Sequence, residues 1–510
     1  MTRRHARGYD SGLGRRDFLK LMPLGAASLG ALASAQTPAS VVSIPTIGDA
    51  PQLFVDLDRV EHLQNVQQAF HSVEKHPANP VLRREKPWER DRGTWGSVTF
   101  DSKEKIFKVW YGGDSGHVHT TKGQKEMAPS TAVCYATSHD GVHWERPNVG
   151  LYEIMGTKDN NVVLDPAYHD GMGHWETALK DPMDTNPQRR YKAVGWSSFD
   201  WDGPMSGIYT MISPDGLHWT PTAEPIVHFH PRKGTQDLGP IGDAQSLMID
   251  TLQRRYVVYL RAIPDRKMSV STDFVTWSAP QICLKARPGE EGNMVYNHFG
   301  FVYGDRYLGF LTYFDHDPKN PTLTIHLLTS RDGENWERPD TGKPLIPVGE
   351  IGDFDRFTNM ISPAPPIRVG DKLHIYYRGM AQRHTPYKGK DTTVEGGGLG
   401  LGLLRVDGFA SLDATYEGGK VTTRPFVTHG KELHINAKAN FGKLQAELID
   451  QQDNPIAGFT RDECAPVHVD SCDCVVRWKE NATLGKLQGR PIRLKFYLQN
   501  VRFYSYRIVA

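Results

Sequence analysis

The chain has 510 residues, enough for two or three domains and a large core. Its 60 Lys and Arg are matched by 59 Asp and Glu with no block of like charge, so the basic excess of a nucleic-acid-binding domain is missing. Past the first forty residues or so no stretch is long and apolar enough to cross a bilayer, and the 49 Gly and 34 Pro fit short strands joined by many turns.

Residues 1–35 read as an export signal. Arg15-Arg16-Asp17-Phe18-Leu19-Lys20 has the twin-arginine pattern, Leu21 to Ala33 is an Ala/Gly-rich apolar run, and Ala33-Ser34-Ala35 fits a cleavage site. An uncleaved N-terminal anchor is the alternative. Either way the expected location is periplasmic or extracellular. Residues 36–51 read as a Pro/Thr/Ser linker. Leu53-Phe54-Val55-Asp56 predicts a short strand, and Val60 to Ser72 predicts a helical turn or two.

A repeated stretch then organises the chain. Ser138-His139-Asp140-Gly141-Val142-His143-Trp144 returns as Ser213-Pro214-Asp215-Gly216-Leu217-His218-Trp219 and as Ser330-Arg331-Asp332-Gly333-Glu334-Asn335-Trp336. Ser271-Thr272-Asp273-Phe274-Val275-Thr276-Trp277 has lost the glycine, and Val406-Asp407-Gly408-Phe409 is a degenerate fifth copy. Asp can bond nearby backbone and Gly accepts positive φ, so each copy predicts a turn that the Trp plugs. An aromatic, β-branched strand runs ahead of each copy: Phe107 to Tyr111, Tyr191 to Trp196, Tyr256 to Tyr259, Tyr307 to Leu311 and Leu373 to Tyr377. A polar turn leads into each of these strands. Two markers recurring five times in step predict an all-β fold with a five-bladed β-propeller over 52–412.

From 413 to 510 the texture changes to period-two runs such as Lys443-Leu444-Gln445-Ala446-Glu447-Leu448-Ile449 and Ile492-Arg493-Leu494-Lys495-Phe496, which predict a C-terminal β-sandwich. Three cysteines cluster there. A disulfide from Cys464 to Cys472 or Cys474, free thiols, and a zinc site completed by His468 are the alternatives.

In a propeller the innermost strands all begin at one end of an axial pocket. Counting back from the polar turns puts His174 and Glu176 on one face in blade 2, Asp243 and Gln245 on one face in blade 3, and His298 near the start in blade 4. Blade 1 begins near Trp95, with Glu89 and Asp91 just before it; blade 5 begins near Asn359, with Asp353 and Asp355 just before it. Glycosidic cleavage needs a proton donor and a second carboxylate, and crowded carboxylates sort themselves by splitting their pKa values. Glu176, Asp243, Glu89 and Asp91 are therefore the candidate catalytic acids. Trp95, His174, Gln245, Arg261, His298 and Asn359 are the candidate substrate-binding residues, with Trp88, Trp175 and Trp201 as further stacking platforms. No cofactor or resident metal is implied. The expected partner is a carbohydrate.

The repeated Ser-x-Asp-Gly-x-x-Trp, the Asn79-Pro80-Val81-Leu82 and Lys86-Pro87-Trp88-Glu89 stretches, and the ending Leu498 to Tyr506 resemble the five-bladed propeller glycosidases related to glycoside hydrolase families 32 and 43. The likeness is to exported bacterial proteins of the family 32 N-terminal-domain type and covers 50–510. It implies a propeller followed by a sandwich, and activity on furanosides or related glycans. The Trp-Met-Asn-Asp-Pro-Asn-Gly, Arg-Asp-Pro and Glu-Cys signatures of family 32 are absent from the corresponding blades, so β-fructosidase activity is not implied. The expected function is a secreted glycoside hydrolase of unknown linkage. A catalytically silent glycan-binding propeller is the alternative. A family 130-like phosphorylase is a third reading, needing Arg92, Arg261, Arg356 and His298 to gather around phosphate.

Overall fold

The computed structural model describes residues 44–89, 96–120, 127–165, 172–197, 206–229, 241, 244–290, 292, 294–317, 320–384, 397–479 and 483–510. The export signal, and with it Asp91, Arg92, Trp95, Trp201 and Asp243, lie outside these residues, as does the side chain of His174. Among the described residues the regular structure is β-strand with short 3-10 turns such as Pro187–Arg189, in line with the all-β expectation. Val60 to Ser72 is not helical. It forms the strands Val60–Gln64 and Gln67–Phe70, because both find partners far along the chain.

Three antiparallel meanders follow one another. The first is Gly96–Asp101, Ile106–Thr120, Met127–Ser138 and Val162–Leu164. The second is Met172–Lys180, Tyr191–Ser197 and Gly207–Ser213, edged by Thr220–Pro221 and Val227–His228. The third is Ser246–Asp250, Arg255–Arg261, Arg266–Ser271 and Gln281–Leu284. A fourth, Val295–Tyr303, Arg306–Asp315 and Thr322–Ser330, is joined by a single parallel pair, Leu323 with Thr358, to a fifth. The fifth is Thr358–Ile361, Lys372–Met380 and Gly397–Arg405, with Glu74–Lys75 as its outer strand.

Hydrogen bonds link these sheets in sequence, mostly through their first strands. Ser97 Oγ donates to Ala178 O and accepts from Ala178 N, at 3.1 and 2.7 Å. Leu247 N donates to Thr177 Oγ1 at 3.3 Å, and Ser246 Oγ donates to His298 O. Ile361 N donates to Thr312 Oγ1 at 3.1 Å, and Ser362 Oγ donates to Gly96 O, returning to the first sheet. Apolar clusters fill the spaces between successive sheets, for instance Trp110, Trp175 and Trp219 between the first two.

The repeated motif makes the turn its residues predict. In four copies the Asp Oδ1 accepts the two amides that follow the turn position, and the Ser hydroxyl accepts the amide three residues on. Gly141, Gly216 and Gly333 have φ of 79°, 81° and 69°; Phe274 occupies the same left-handed position at 62°. Its buried ring, with centroids 5.0 Å from Tyr256 and 5.6 Å from Trp277, offsets the backbone cost. The fifth copy is used differently. Asp407 accepts from Tyr303 Oη at 2.7 Å and Ser505 Oγ at 2.6 Å, tying the fourth sheet to the C-terminal strands.

The remaining strands form two antiparallel sheets. One contains Asp470–Val475, Glu432–Lys438, Val501–Val509 and Ala410–Ala414; the other contains Gly419–Thr423, Arg493–Gln499 and Lys443–Ile449. Their inward residues share one core that includes Leu433, Ile435, Leu444, Leu448, Phe496 and Phe503. The boundaries expected at 52 and 412 do not follow the strand pairing. Gln52–Leu53 pairs with Val501–Val509, Val60–Gln64 with Gly419–Thr423, and Gln67–Phe70 with Ala410–Ala414. Nor are 44–51 a loose linker: Thr46 bridges Val427, and Ile47 is 1% exposed. Residues 44–510 form one compact unit.

All five cysteines are free thiols. Cys464 packs in the core of the two C-terminal sheets, with Ala446 N against its sulfur at 3.3 Å, whereas Cys472 faces the Asp371 carbonyl. Of the alternatives weighed for this cluster the structure has free thiols, whose side chains serve different contacts. His468 bonds the Gly442 carbonyl, and among the described residues no cluster of three His, Cys, Asp or Glu could hold a metal ion.

Candidate functional site

Three backbone irregularities meet where the first strands of the second, third and fourth sheets begin. In the second sheet Val194 pairs with Thr177 and Gly195 with Trp175, which makes Glu176 the extra residue of a β-bulge. In the fourth, Val295 pairs with Tyr313 and Asn297 with Thr312, so Tyr296 is bulged in the same way. Between them Ala244 holds a left-handed φ of 72°. Bulges re-aim side chains, and left-handed non-glycine residues persist where surrounding contacts over-determine them.

The three residues are in contact. Glu176 is 2% exposed, and its Oε1 accepts from Trp196 Nε1 at 3.0 Å and from Ala244 N at 3.4 Å. Ala244 and Tyr296 share a small apolar cluster with Phe314, Leu323 and Met360. The Arg261 guanidinium carbon lies 4.2 Å from the Tyr296 ring centroid, and Tyr296 Oη is 3.0 Å from His384 Nε2. A buried carboxylate, a phenol, an imidazole and a guanidinium thus converge from different sheets. Polar side chains buried at or just before the first strands of the third, fourth and fifth sheets add to this. Gln245 is fully buried; Asn297 has no hydrogen-bond partner for either side-chain atom, and Asn359 none for Oδ1, among the described residues.

The other expected residues take different places. Glu89 is 2% exposed but committed elsewhere. Arg146 Nε donates to it at 2.6 Å, as do Tyr111 Oη and the Glu85 and Lys86 amides. Burial raises its pKa, but these donors outweigh burial and hold the carboxyl below its ordinary value. Glu89 is therefore a clamp that fastens the 83–89 loop, not an acid poised for proton transfer. His298 lies between the third and fourth sheets, with ring centroids 4.1 Å from Tyr259 and 4.7 Å from Trp336; burial pushes its pKa far down. The bulge at Tyr296 is the reason: it shifts the alternation by one, turning His298 into the core and leaving Tyr296 at the site. Asn359 donates to the Pro347 carbonyl at 2.8 Å. Trp88 and Trp175 are core residues; Trp88 Nε1 donates to Asn161 Oδ1 at 2.8 Å, and Trp175 packs edge-on against Trp219. Tyr296 and His384 were not among the expected site residues. An aromatic at a strand start gives no sign of a bulge, and His384 follows a strand end far along the chain.

Asp355 is 1% exposed, bound by Lys75 Nζ at 2.6 Å and Tyr377 Oη at 2.8 Å. Asp353, by contrast, is exposed and caps the Glu350 amide.

No family model and no curated protein matches the chain. Solved structures do. One is from work on the GH130 family of mannoside phosphorylases, said to contain hydrolases of beta-1,2 mannosidic linkages in Candida mannan: 14% identity, 66% of this chain and 94% of that one, TM-score 0.46. A glycosyl hydrolase from Bacteroides ovatus aligns at 14% identity over 66% and 94%, TM-score 0.45. The catalytic domain of the Coprinopsis cinerea GH62 alpha-L-arabinofuranosidase aligns at 13% over 65% and 97%, TM-score 0.41. The first and third of these are described under families 130 and 62 rather than 32 or 43.

Proposed function

We propose that this chain is a glycoside hydrolase, a five-bladed β-propeller completed by a C-terminal β-sandwich, with Glu176 as its general acid or base. The observation that carries this reading is the convergence of two bulges and a left-handed alanine on one buried carboxylate. The succession of hydrogen bonds from each sheet to the next supports the propeller, and the core shared by the two C-terminal sheets supports the sandwich. Family 32 or 43 kinship rests on the sequence resemblance.

Glycosidic cleavage breaks the bond between the anomeric carbon and the leaving oxygen. One carboxylic acid supplies the leaving oxygen's proton; a second carboxylate takes a proton from water or attacks the anomeric carbon itself. Glu176 fills one role. Asp243, next to Ala244 in sequence, is the proposed second carboxylate, and Asp91 a further one. Tyr296, oriented by Arg261 and His384, and Gln245 would hold sugar hydroxyls; Trp95 and His174 remain proposed contacts. The twin-arginine signal supports export, which the N-terminal sequence of the secreted chain would check.

The test is turnover on a polysaccharide panel. Glu176→Gln should keep the melting temperature and lower turnover by about 10²-fold or more, with sugar binding retained. Full activity in that variant would remove Glu176 from the mechanism. If the wild type binds glycans, cleaves none, and the variant merely weakens binding, the chain is a glycan-binding protein instead.

A further inference from the structure

Beside the Glu176–Tyr296 cluster lies a cavity of about 890 Å³. Its lining includes Lys75, Arg83, Arg356 and Arg383 against two carboxylates, Asp353 and Asp355. The position next to the site follows from the chain: Arg383 precedes His384, which meets Tyr296 Oη, and Phe357 lies three residues before Met360 of the site's apolar cluster.

The charges do not cancel. Lys75 and the Tyr377 hydroxyl bind the buried Asp355. That leaves the guanidinium groups of Arg83 and Arg356 facing one exposed carboxylate, Asp353, among the described lining residues. Arginine remains cationic at any physiological pH. Arg356 is held in place, with Arg383 beside it: their guanidinium carbons lie 4.6 and 4.1 Å from the centroid of one ring, Phe357, itself 8% exposed. Among the described residues no carboxylate pairs with Arg356. Cations stacked on a buried ring are ordered before any ligand arrives, so less entropy is lost on binding, and the planar guanidinium fork matches an oxyanion's geometry.

The Asp353–Asp355 loop that lines the cavity is closely packed from behind. Gly349 and Gly379 let the Asp353-Phe354-Asp355 loop lie against neighbouring backbone; a Cβ at Gly379 would sit 2.5 Å from Asp355 Cβ and at Gly349 2.6 Å from Asp353 Cβ. The wall is the returning N-terminal segment, whose Asn79 donates to Leu401 O at 3.0 Å and accepts from Leu401 N at 2.8 Å.

We propose that this cavity binds an oxyanion carried on a sugar, a uronic acid carboxylate or a sulfate ester, so that the glycan handled at Glu176 is an acidic one. The glycan part rests on the function proposed above; the anion site is read by binding alone and so fails or stands separately from turnover. The experiment is calorimetric titration of the full chain with D-glucuronate, D-glucose 6-sulfate, D-glucose and inorganic sulfate. At least one sugar anion should bind about tenfold or more tightly than glucose. Arg356→Ala should weaken that binding about tenfold. Arg83→Ala, on an exposed side chain, should weaken it as well and decides the matter if Arg356→Ala does not fold. Glucose binding as well as the anions, no binding by either sugar anion, inorganic sulfate binding as tightly as they do, or folded variants that bind like wild type would each overturn the proposal.

Discussion

Glu89 and Glu176 are equally buried, yet their surroundings give them different work. Around Glu89 the donors are charged or are backbone amides that need it, and Arg146 beside it is only 6% exposed. Removing one member of such a pair leaves the other buried without its counter-charge. Glu89→Gln should therefore cost about 3 kcal/mol in chemical denaturation while leaving turnover per folded molecule unchanged. The pH dependence has a definite sign. The folded-state pKa lies below the ordinary 4.5, so the stabilisation is complete above that value and is lost as pH falls through the folded pKa. The gap between wild type and Glu89→Gln should thus close in acid, and a gap constant with pH would contradict the clamp. Glu176 faces an indole N–H and a strained backbone instead, and there the effect expected is on turnover.

At the scale of the element, the repeated turn is where sequence and structure correspond most directly. Gly216 has a φ of 81°, and a Cβ there would lie 2.7 Å from Trp110 Cζ2, the ring whose Nε1 donates to Gly216 O at 2.6 Å. Gly216→Ala thus meets backbone strain and a clash with a fully buried ring, together about 2–4 kcal/mol. Gly156, at φ 82° with nothing within 4 Å, isolates the strain: Gly156→Ala should cost about 1 kcal/mol. Equal losses in urea denaturation would mean that the Trp110 contact adds nothing. The motif was legible because an Asp–Gly turn is satisfied by its own neighbours. The bulges at Glu176 and Tyr296 were not, because a bulge is defined by the partner strand's register. His298, two residues beyond Tyr296, was accordingly assigned to the pocket on an alternation that the bulge breaks.

For the whole molecule, the N-terminal segment decides how the parts cohere. Strands between Gln52 and Phe70 pair with the C-terminal sheets, and Glu74–Lys75 then adds the outer strand to the fifth meander. Asp407 bonds across the same junction. With one segment woven into both parts, neither keeps its sheets intact when the other unfolds. Calorimetry of the chain should therefore show a single cooperative transition. Two separated transitions would mean that the shared strands contribute little.

The sequence by itself determined the local devices: the Ser-Asp-Gly turns, the aromatic strands that run ahead of them, and the period-two runs of Lys443–Ile449 and Arg493–Gln499. Each depends on residues a few positions apart. Tertiary structure alone decided that residues 52–70 belong with the tail, that Cys464 and Cys472 serve separate contacts, and that Glu89 is a clamp while Glu176 meets Ala244 and, through it, Tyr296. All of these depend on register and on pairing across hundreds of residues. Such pairing is selected by which apolar faces and which hydrogen-bonding edges can be satisfied together, a property of the assembled sheets that no single stretch of chain contains.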